Sequence, residues 1–232
     1  MGGTAGQSEL ASERSAAPRL VIFDLDGTLT RHDTLATYVF SLLARRPWQL
    51  VRVLGVVPAA LAYVLGRIDR GELKGQFLHA TLGGRSRGEL AQWTEWFVPR
   101  LVRHGLRDEA RQRLAAHRER GDICVLLSAS PDLYVPAIGA ALGFGEVVCT
   151  GVRWDGDRLD GRLGTPNRQG PEKTRCLEQL RARYPGLLIV AYGNAASDLD
   201  HLARTDEPLL VSASSRARRE AVRLGIPSAR WV

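Results

Sequence analysis

Leu20, Val21, Ile22 and Phe23 form an unbroken apolar run that stops at Asp24-Leu25-Asp26-Gly27. A strand with one wet face alternates apolar and polar residues. A run that is apolar throughout and closed by a turn reads instead as a strand covered on both faces, as in a parallel sheet between layers of helices. Similar runs recur at Ile123–Leu127, Leu187–Ala191 and Leu209–Val211, and helical patterns occupy Leu106–Arg120, Leu133–Leu142, Glu172–Tyr184 and Ser215–Leu224. This alternation predicts an α/β fold assembled from βα units. One interruption is expected: Gly151–Trp154 and Arg158–Leu163 flank Asp155-Gly156-Asp157, a hairpin signal.

No strand-like run occurs between Thr34 and Arg103, and about seventy residues is too long for a βα loop. Segment 34–103 is therefore read as an inserted helical cap on a core formed by residues 18–33 and 104–232, which a chain of 232 residues can accommodate. Residues 1–17, rich in Gly, Ser and Ala without an apolar block, are expected to be a disordered leader rather than a signal or transit peptide. Within the cap, Val53–Gly66 carries no charge over fourteen residues, is interrupted by Pro58, and falls short of the roughly 20 that a spanning helix needs. It is read as a buried cap helix, with a surface that dips into a membrane as the alternative. Trp93 and Trp96 are assigned to the core. The three cysteines, Cys124, Cys149 and Cys176, form neither a CxxC pair nor a zinc pattern, and their odd number points to a reducing, cytoplasmic setting.

Asp24 and Asp26 stand two residues apart at the end of the first strand, so an extended backbone turns both side chains the same way. They sit at the edge where open α/β sheets place ligands. Two carboxylates there repel unless a cation lies between them or one keeps a proton, and a hard, oxygen-liganded ion such as Mg2+ suits the pair. The segment FDLDGTLT resembles the first motif of the haloacid dehalogenase-like superfamily of phosphohydrolases. Three further motifs follow in that family's order: Ser128 in CVLLSAS, Lys173 in NRQGPEK, and Asn194 with Asp198 in LLIVAYGNAASDLDHL. The resemblance spans roughly residues 19–232. It implies a Rossmann-like parallel-sheet core with an inserted α-helical cap. It also implies Mg2+-dependent hydrolysis of a phosphomonoester, with Asp24 as the nucleophile that becomes an aspartyl phosphate and Asp26 as general acid and then base. Thr28, Ser128 and Lys173 would contact the phosphoryl group, and Asp24, Asp26, Asn194 and Asp198 would surround the metal. In the family, Asp26 meets the ion through its backbone carbonyl. LTRHDTL, SASPDLYV and GRLGTPNRQGPEK narrow the likeness to the phosphoserine-phosphatase-like branch, which carries such a cap.

Two positions depart from that pattern. The fourth motif reads Gly193-Asn194 where Gly-Asp is usual, which removes one negative charge but keeps an oxygen that a hard ion accepts. Relatives of phosphatidylglycerophosphatase tolerate the same pair. Asp33 stands where phosphoserine phosphatases carry a Glu that meets the substrate amino group, and it reads either as a weak substrate-selecting residue or as a helix N-cap. Asp200 and His201 are assigned to the following helix, and His32 to the exposed surface.

The net charge of +7 comes from 30 Arg and 2 Lys against 25 acidic residues. Residues 31–120 hold 16 basic and 8 acidic residues, whereas the remainder holds 16 and 17. Arg45, Arg46 and Trp48 precede the apolar cap stretch, and Arg67 and Arg70 follow it, an arrangement suited to anionic headgroups. The expected partner is a phosphorylated lipid headgroup or a small phosphorylated molecule, either phosphoserine-like or a sugar phosphate. Peripheral contact with the inner face of an anionic membrane would run through the cap. A non-catalytic basic membrane-binding module of the same fold is the competing class. No nucleic-acid partner is expected, since no helix-turn-helix, zinc or stacking-aromatic motif is present.

Overall fold

A computed structural model describes residues 17–45 and 47–232. Residues 1–16 of the expected leader, and Arg46 of the basic cluster, lie outside the described residues. The chain runs β1 (Leu20–Phe23), α1 (Thr34–Leu43), a 3-10 helix (Pro47–Val56), α2 (Val57–Val64), α3 (Arg70–Leu82), α4 (Arg87–His104), α5 (Asp108–Glu119), β2 (Ile123–Pro131), α6 (Val135–Leu142), β3 (Glu146–Thr150), β4 (Val152–Asp155), β5 (Arg158–Leu163), α7 (Pro171–Arg183), β6 (Ile189–Gly193), α8 (Leu199–Leu202), β7 (Glu207–Val211), α9 (Ser215–Arg223) and β8 (Ser228–Ala229).

Six parallel strands form one sheet in the order β3-β2-β1-β6-β7-β8, which is the α/β architecture expected. β1 lies between β2 and β6. Val21 and Phe23 enter one apolar layer with α5 and α6; Leu20 and Ile22 enter the other with α7, α8 and α9. This two-sided burial is why the sequence run has no polar break. Phe23 pairs in register with Leu126 of β2 and with Tyr192 of β6. The residues just beyond those pairs, Asp24, Ser128 and Asn194, therefore gather along one edge of the sheet. β3 and β8, both outer strands, were not anticipated from the sequence.

Between β1 and β2 the described residues form helices only. Asp69 and Ser86 cap α3 and α4, each in a reciprocal box with the Glu three residues on. Tyr38 of α1, Trp93 and Phe97 of α4, and Tyr134 beside α6 make an aromatic cluster that fixes the cap to the core, with Tyr38 stacked on Tyr134 at 4.6 Å. Trp96 is half-buried and packs against the core cluster from its outer side. It stacks on Trp93 at 4.2 Å and carries the Arg100 guanidinium 4.0 Å above its ring.

The hairpin β4–β5 forms as expected but stays out of the central sheet. It zips onto the cap through Gly84 N–H to Leu159 O, Leu159 N–H to Arg85 O and Arg87 N–H to Asp157 O. At Gly161 (φ +88°), an added Cβ would come within 2.5 Å of His79 N, so only glycine lets β5 lie this close to α3.

One expectation is corrected. Val53–Gly66 is not a buried helix: the 3-10 helix and α2 lie on the outside of α3 with a single face covered. A charge-free composition suggested burial, but the segment is apolar on both faces and the fold covers only one.

Candidate active site

The site is built outward from the end of β1. Asp24 N–H donates to Tyr192 O at 3.0 Å, which holds the aspartate at the sheet edge. The chain then turns sharply at Gly27, whose φ is +79° and where a Cβ would stand 1.8 Å from Asn194 Nδ2. Conformation and space each demand glycine there. Thr28 Oγ1 donates to Asp24 Oδ2 at 3.0 Å. Lys173 Nζ donates to Asp24 Oδ1 at 2.7 Å and to Asp198 Oδ1 at 2.8 Å. The other oxygen of Asp198 accepts from the N–H groups of Asn194 (3.1 Å) and Ala195 (2.9 Å). Asp24, Lys173 and Asp198 are all buried. Lys173 stands in the first turn of α7, where the helix dipole disfavours a cation, and two carboxylates offset that cost.

The Asp24 carboxyl is raised to about 7, because burial, helped by Asp198 and Asp26, outweighs the pull of Lys173. Burial also raises Asp198, but the Lys173 ammonium, His201 and the Ala195 N–H together outweigh it and keep that carboxyl below the usual range. Lys173 would lose charge through burial alone, and the two carboxylates hold it protonated. Asp26 is raised by burial, against hydrogen bonds from Ser130 and Thr34. Its Oδ1 accepts from Thr34 N–H and its Oδ2 from Ser130 Oγ–H, both at 2.6 Å. Burial thus biases both carboxyls towards their protonated forms, Asp24 against the charge of Lys173 and Asp26 against two hydrogen bonds, and tuned acid groups of this kind are what nucleophilic and acid–base chemistry use.

A cavity of about 510 Å3 opens over these groups and is lined by Asp24, Asp26, Lys173, Asn194 and Asp198. Thr28 and Ser128, also singled out from the sequence, are fully buried and lie outside the cavity lining. Thr28 spends its hydroxyl on Asp24, and Ser128 Oγ accepts from Ser130 N–H at 3.0 Å. Of the two readings of Asp33 the structure shows the helix N-cap, with the carboxylate accepting from Ala36 N–H at 2.8 Å, and the residue also lines the cavity. His32 is exposed at the cavity rim. Asp200 is exposed on α8, while His201 is buried, its pKa driven to about 3 by burial and by Lys173 against the pull of Asp198.

Ser130 and Lys74 are among the lining residues that escaped the sequence reading. Ser130 reaches Asp26 across the sheet edge. Lys74 of α3 brings the chain's second lysine into the cavity, with Nζ donating to Ala129 O and Asn167 Oδ1, both at 2.6 Å.

A family model of haloacid dehalogenase-like hydrolases matches residues 21–203. Over 211 residues the chain is 32% identical to protein CicA of Caulobacter vibrioides, covering 88% of this chain and 91% of CicA. A protein of unknown function from Bordetella pertussis Tohama I shares the fold with a TM-score of 0.75 at 24% identity, covering 91% of this chain and 98% of that one. A probable phosphoserine phosphatase from Vibrio cholerae, in its unliganded form, shares it with a TM-score of 0.72 at 15% identity, covering 100% of this chain and 70% of that one. The matched span starts inside β1 and ends just after α8, so it contains all four motifs; the chain belongs to the haloacid dehalogenase-like hydrolases and has the fold of their phosphoserine-phosphatase-like branch.

Proposed function

We propose that the chain is a Mg2+-dependent phosphomonoester hydrolase that works through an aspartyl phosphate on Asp24, with a phosphorylated lipid headgroup as its substrate. The observation that carries the catalytic reading is the double contact of Lys173 Nζ with Asp24 and Asp198 at the sheet edge. Asp24 attacks phosphorus as the bond to the leaving oxygen breaks, and Asp26 gives that oxygen its proton. Asp26, now a base, takes a proton from the water that attacks the aspartyl phosphate; inorganic phosphate leaves and Asp24 is restored. Thr28 orients Asp24, Lys173 meets the phosphoryl charge, and Ser128 supports the phosphoryl subsite from beneath.

The donor set fits Mg2+. No group of three or more His, Cys, Asp or Glu placed to hold a metal occurs among the described residues. Mg2+ does not require one, because it keeps several waters and takes only one or two protein carboxylates. The Asp24 carboxylate, the Asp26 backbone carbonyl and the Asn194 side-chain oxygen would hold it. Asp198, whose oxygens already accept from Lys173 and two backbone N–H groups, would reach it through a water. When bound, the ion neutralises charge between nucleophile and phosphoryl group.

The lipid reading rests on the cap, where an apolar, arginine-flanked segment faces outward. It puts the protein at the cytoplasmic face of the membrane. A small soluble phosphomonoester is the second reading, favoured by the likeness in fold to a probable phosphoserine phosphatase, with Asp33 as a selecting group in the cavity wall. The test is a phosphate-release screen with Mg2+, using lipid phosphates in mixed micelles beside phosphoserine and sugar phosphates. Asp24→Asn is expected to lower release by about a thousandfold or more. Unchanged release would refute the aspartyl-phosphate mechanism, and a clear preference for the soluble esters would transfer the assignment to the second reading.

A further inference from the structure

We infer that the 3-10 helix Pro47–Val56 and α2 together form an in-plane docking surface for an anionic lipid bilayer, with the rim of the catalytic cavity beside the docked face. Trp48, Leu50, Val51 and Leu54 of the 3-10 helix and Val57, Leu61 and Val64 of α2 are all exposed, and the last three recur at spacings of four and three along one face of α2. Trp48 at the start of the segment is 70% exposed, Leu54 66% and Val64 79%. The opposite face, with Val53, Val56, Ala59 and Ala62, is half-buried. An amphipathic helix normally turns its apolar side to the core; here both sides are apolar and the surplus side faces out. Contiguous apolar surface of this kind marks an interaction site.

Charge identifies the occupant. From Thr34 to Ile68 the sequence contains no acidic residue, while Arg45, Arg46, Arg52 and Arg67 fall within that stretch. Among the described residues Arg45, over the Trp93 and Trp96 rings, and Arg67 are exposed at the two ends of the segment; apolar side chains inserted among headgroups, with a Trp and cations at the ends and no acidic residue between them, match a negatively charged bilayer surface. A second copy of the chain fits worse, because pairing two such surfaces would bring arginines of like charge together.

Pro47–Val64 is long and apolar enough to cross a membrane by length and composition, yet the structure ties it flat to the cap. Arg52 Nη2 donates to Gly83 O at 2.9 Å, and Val53 packs against the core cluster. Arg70 Nε donates to Tyr63 Oη at 3.2 Å, and Arg70 itself lines the catalytic cavity. One residue thus links the docking helix to the cavity rim, so a docked cap holds the site at headgroup level. The inference deepens the lipid-headgroup reading and rests on it only for its purpose, since docking is measured without turnover.

Flotation of the full chain with equimolar phosphatidylglycerol–phosphatidylcholine vesicles, against vesicles of phosphatidylcholine alone, tests the surface. The wild-type chain is expected to float with the anionic vesicles at low salt and to be released by high salt. The Leu54→Glu/Leu61→Glu variant is expected to lose binding about tenfold or more, while its hydrolysis of a soluble phosphomonoester stays at the wild-type level. Asp24→Asn is expected to float as the wild type does, so failure of the catalytic reading leaves this result untouched. Absence of flotation, or equal flotation of the wild type and the double variant, overturns the proposal. A dimer in analytical ultracentrifugation that the double variant dissolves, without flotation, overturns it in favour of a second copy.

Discussion

The chain contains thirty arginines and two lysines, and both lysines end in the same cavity. Lys173 is committed to two carboxylates. Lys74 crosses from the cap to the core, where two of its three N–H bonds go to Ala129 O and Asn167 Oδ1. Burial lowers its pKa to about 8, against the pull of Asp26 and Asp33. An ammonium with one donor to spare at the cavity wall suits an anionic substrate, and it loses its charge as pH rises through about 8. KM for a phosphomonoester is therefore expected to climb over that range. Lys74→Met should raise KM about tenfold at neutral pH and abolish the climb. Lys74→Arg, which stays charged, should keep KM low and move the climb to higher pH. A purely structural Lys74 would lower the melting temperature and leave the pH profile of KM unchanged. The sequence signalled Lys173 through its motif. It signalled Lys74 only through the scarcity of lysine, because no local pattern marks a helix residue whose partners lie 55 and 93 positions away. Ser130 was hidden in the same way, since its partner Asp26 is 104 positions distant.

Elements meet at the other end of the sheet through a buried polar knot. Asp122, just before β2, accepts from Arg19 N–H at 3.0 Å and from His117 Nδ1 of α5 at 2.7 Å. An ionised carboxylate can only accept, so Nδ1 carries a proton, and Nε2 pairs with Tyr192 Oη on β6 at 2.9 Å. Burial pushes the Asp122 carboxyl up, but the His117 bond and the Arg19 amide more than offset it, and the net shift is downward. A depressed carboxyl stabilises the fold fully above its unfolded pKa of about 3.9 and progressively less as pH falls through the folded value. Asp122→Asn is expected to cost about 1–3 kcal/mol at neutral pH. It should also flatten the acid limb of stability, measured as the urea midpoint between about pH 5 and pH 3; an acid limb as steep as the wild type's would rule the linkage out. The strands that bear the motifs were legible because burial on both faces leaves an uninterrupted apolar run. β3 and β8 were not: the first is a half-exposed outer strand that begins with Glu146, and the second is two residues long. The segment Pro47–Val64 showed its composition plainly but not its surroundings. Burial and membrane contact demand the same residues, and only the fold decides which neighbour is present.

At the scale of the whole molecule, positive charge is concentrated around the mouth of the site. The sequence already divides into a basic stretch over residues 31–120 and a nearly balanced remainder. Folding adds what that division could not contain. The ends of β7 and β8 come round to meet the chain leaving β1, and a second cavity of about 540 Å3 forms there, lined by Arg31, Arg107, Arg218 and Arg230. Arg31 lines both cavities, and Arg107 Nε donates to Gly27 O at 3.2 Å in the catalytic turn. Arg218 and Arg230 stand far from Arg31 in sequence, so their convergence was invisible until the sheet order was known. Four guanidinium groups beside the catalytic cavity produce a field that draws a phosphomonoester inward, and salt screens such a field over about 10 Å at 0.1 M ionic strength. For a soluble substrate, kcat/KM is expected to fall as salt is added. Arg218→Glu/Arg230→Glu should lower kcat/KM at low salt by about threefold or more and leave kcat unchanged, because neither side chain lines the catalytic cavity. The gap between variant and wild type should close at high salt. An equal loss in kcat, or a gap that persists when the field is screened, would mean that these arginines shape the site itself rather than the approach to it.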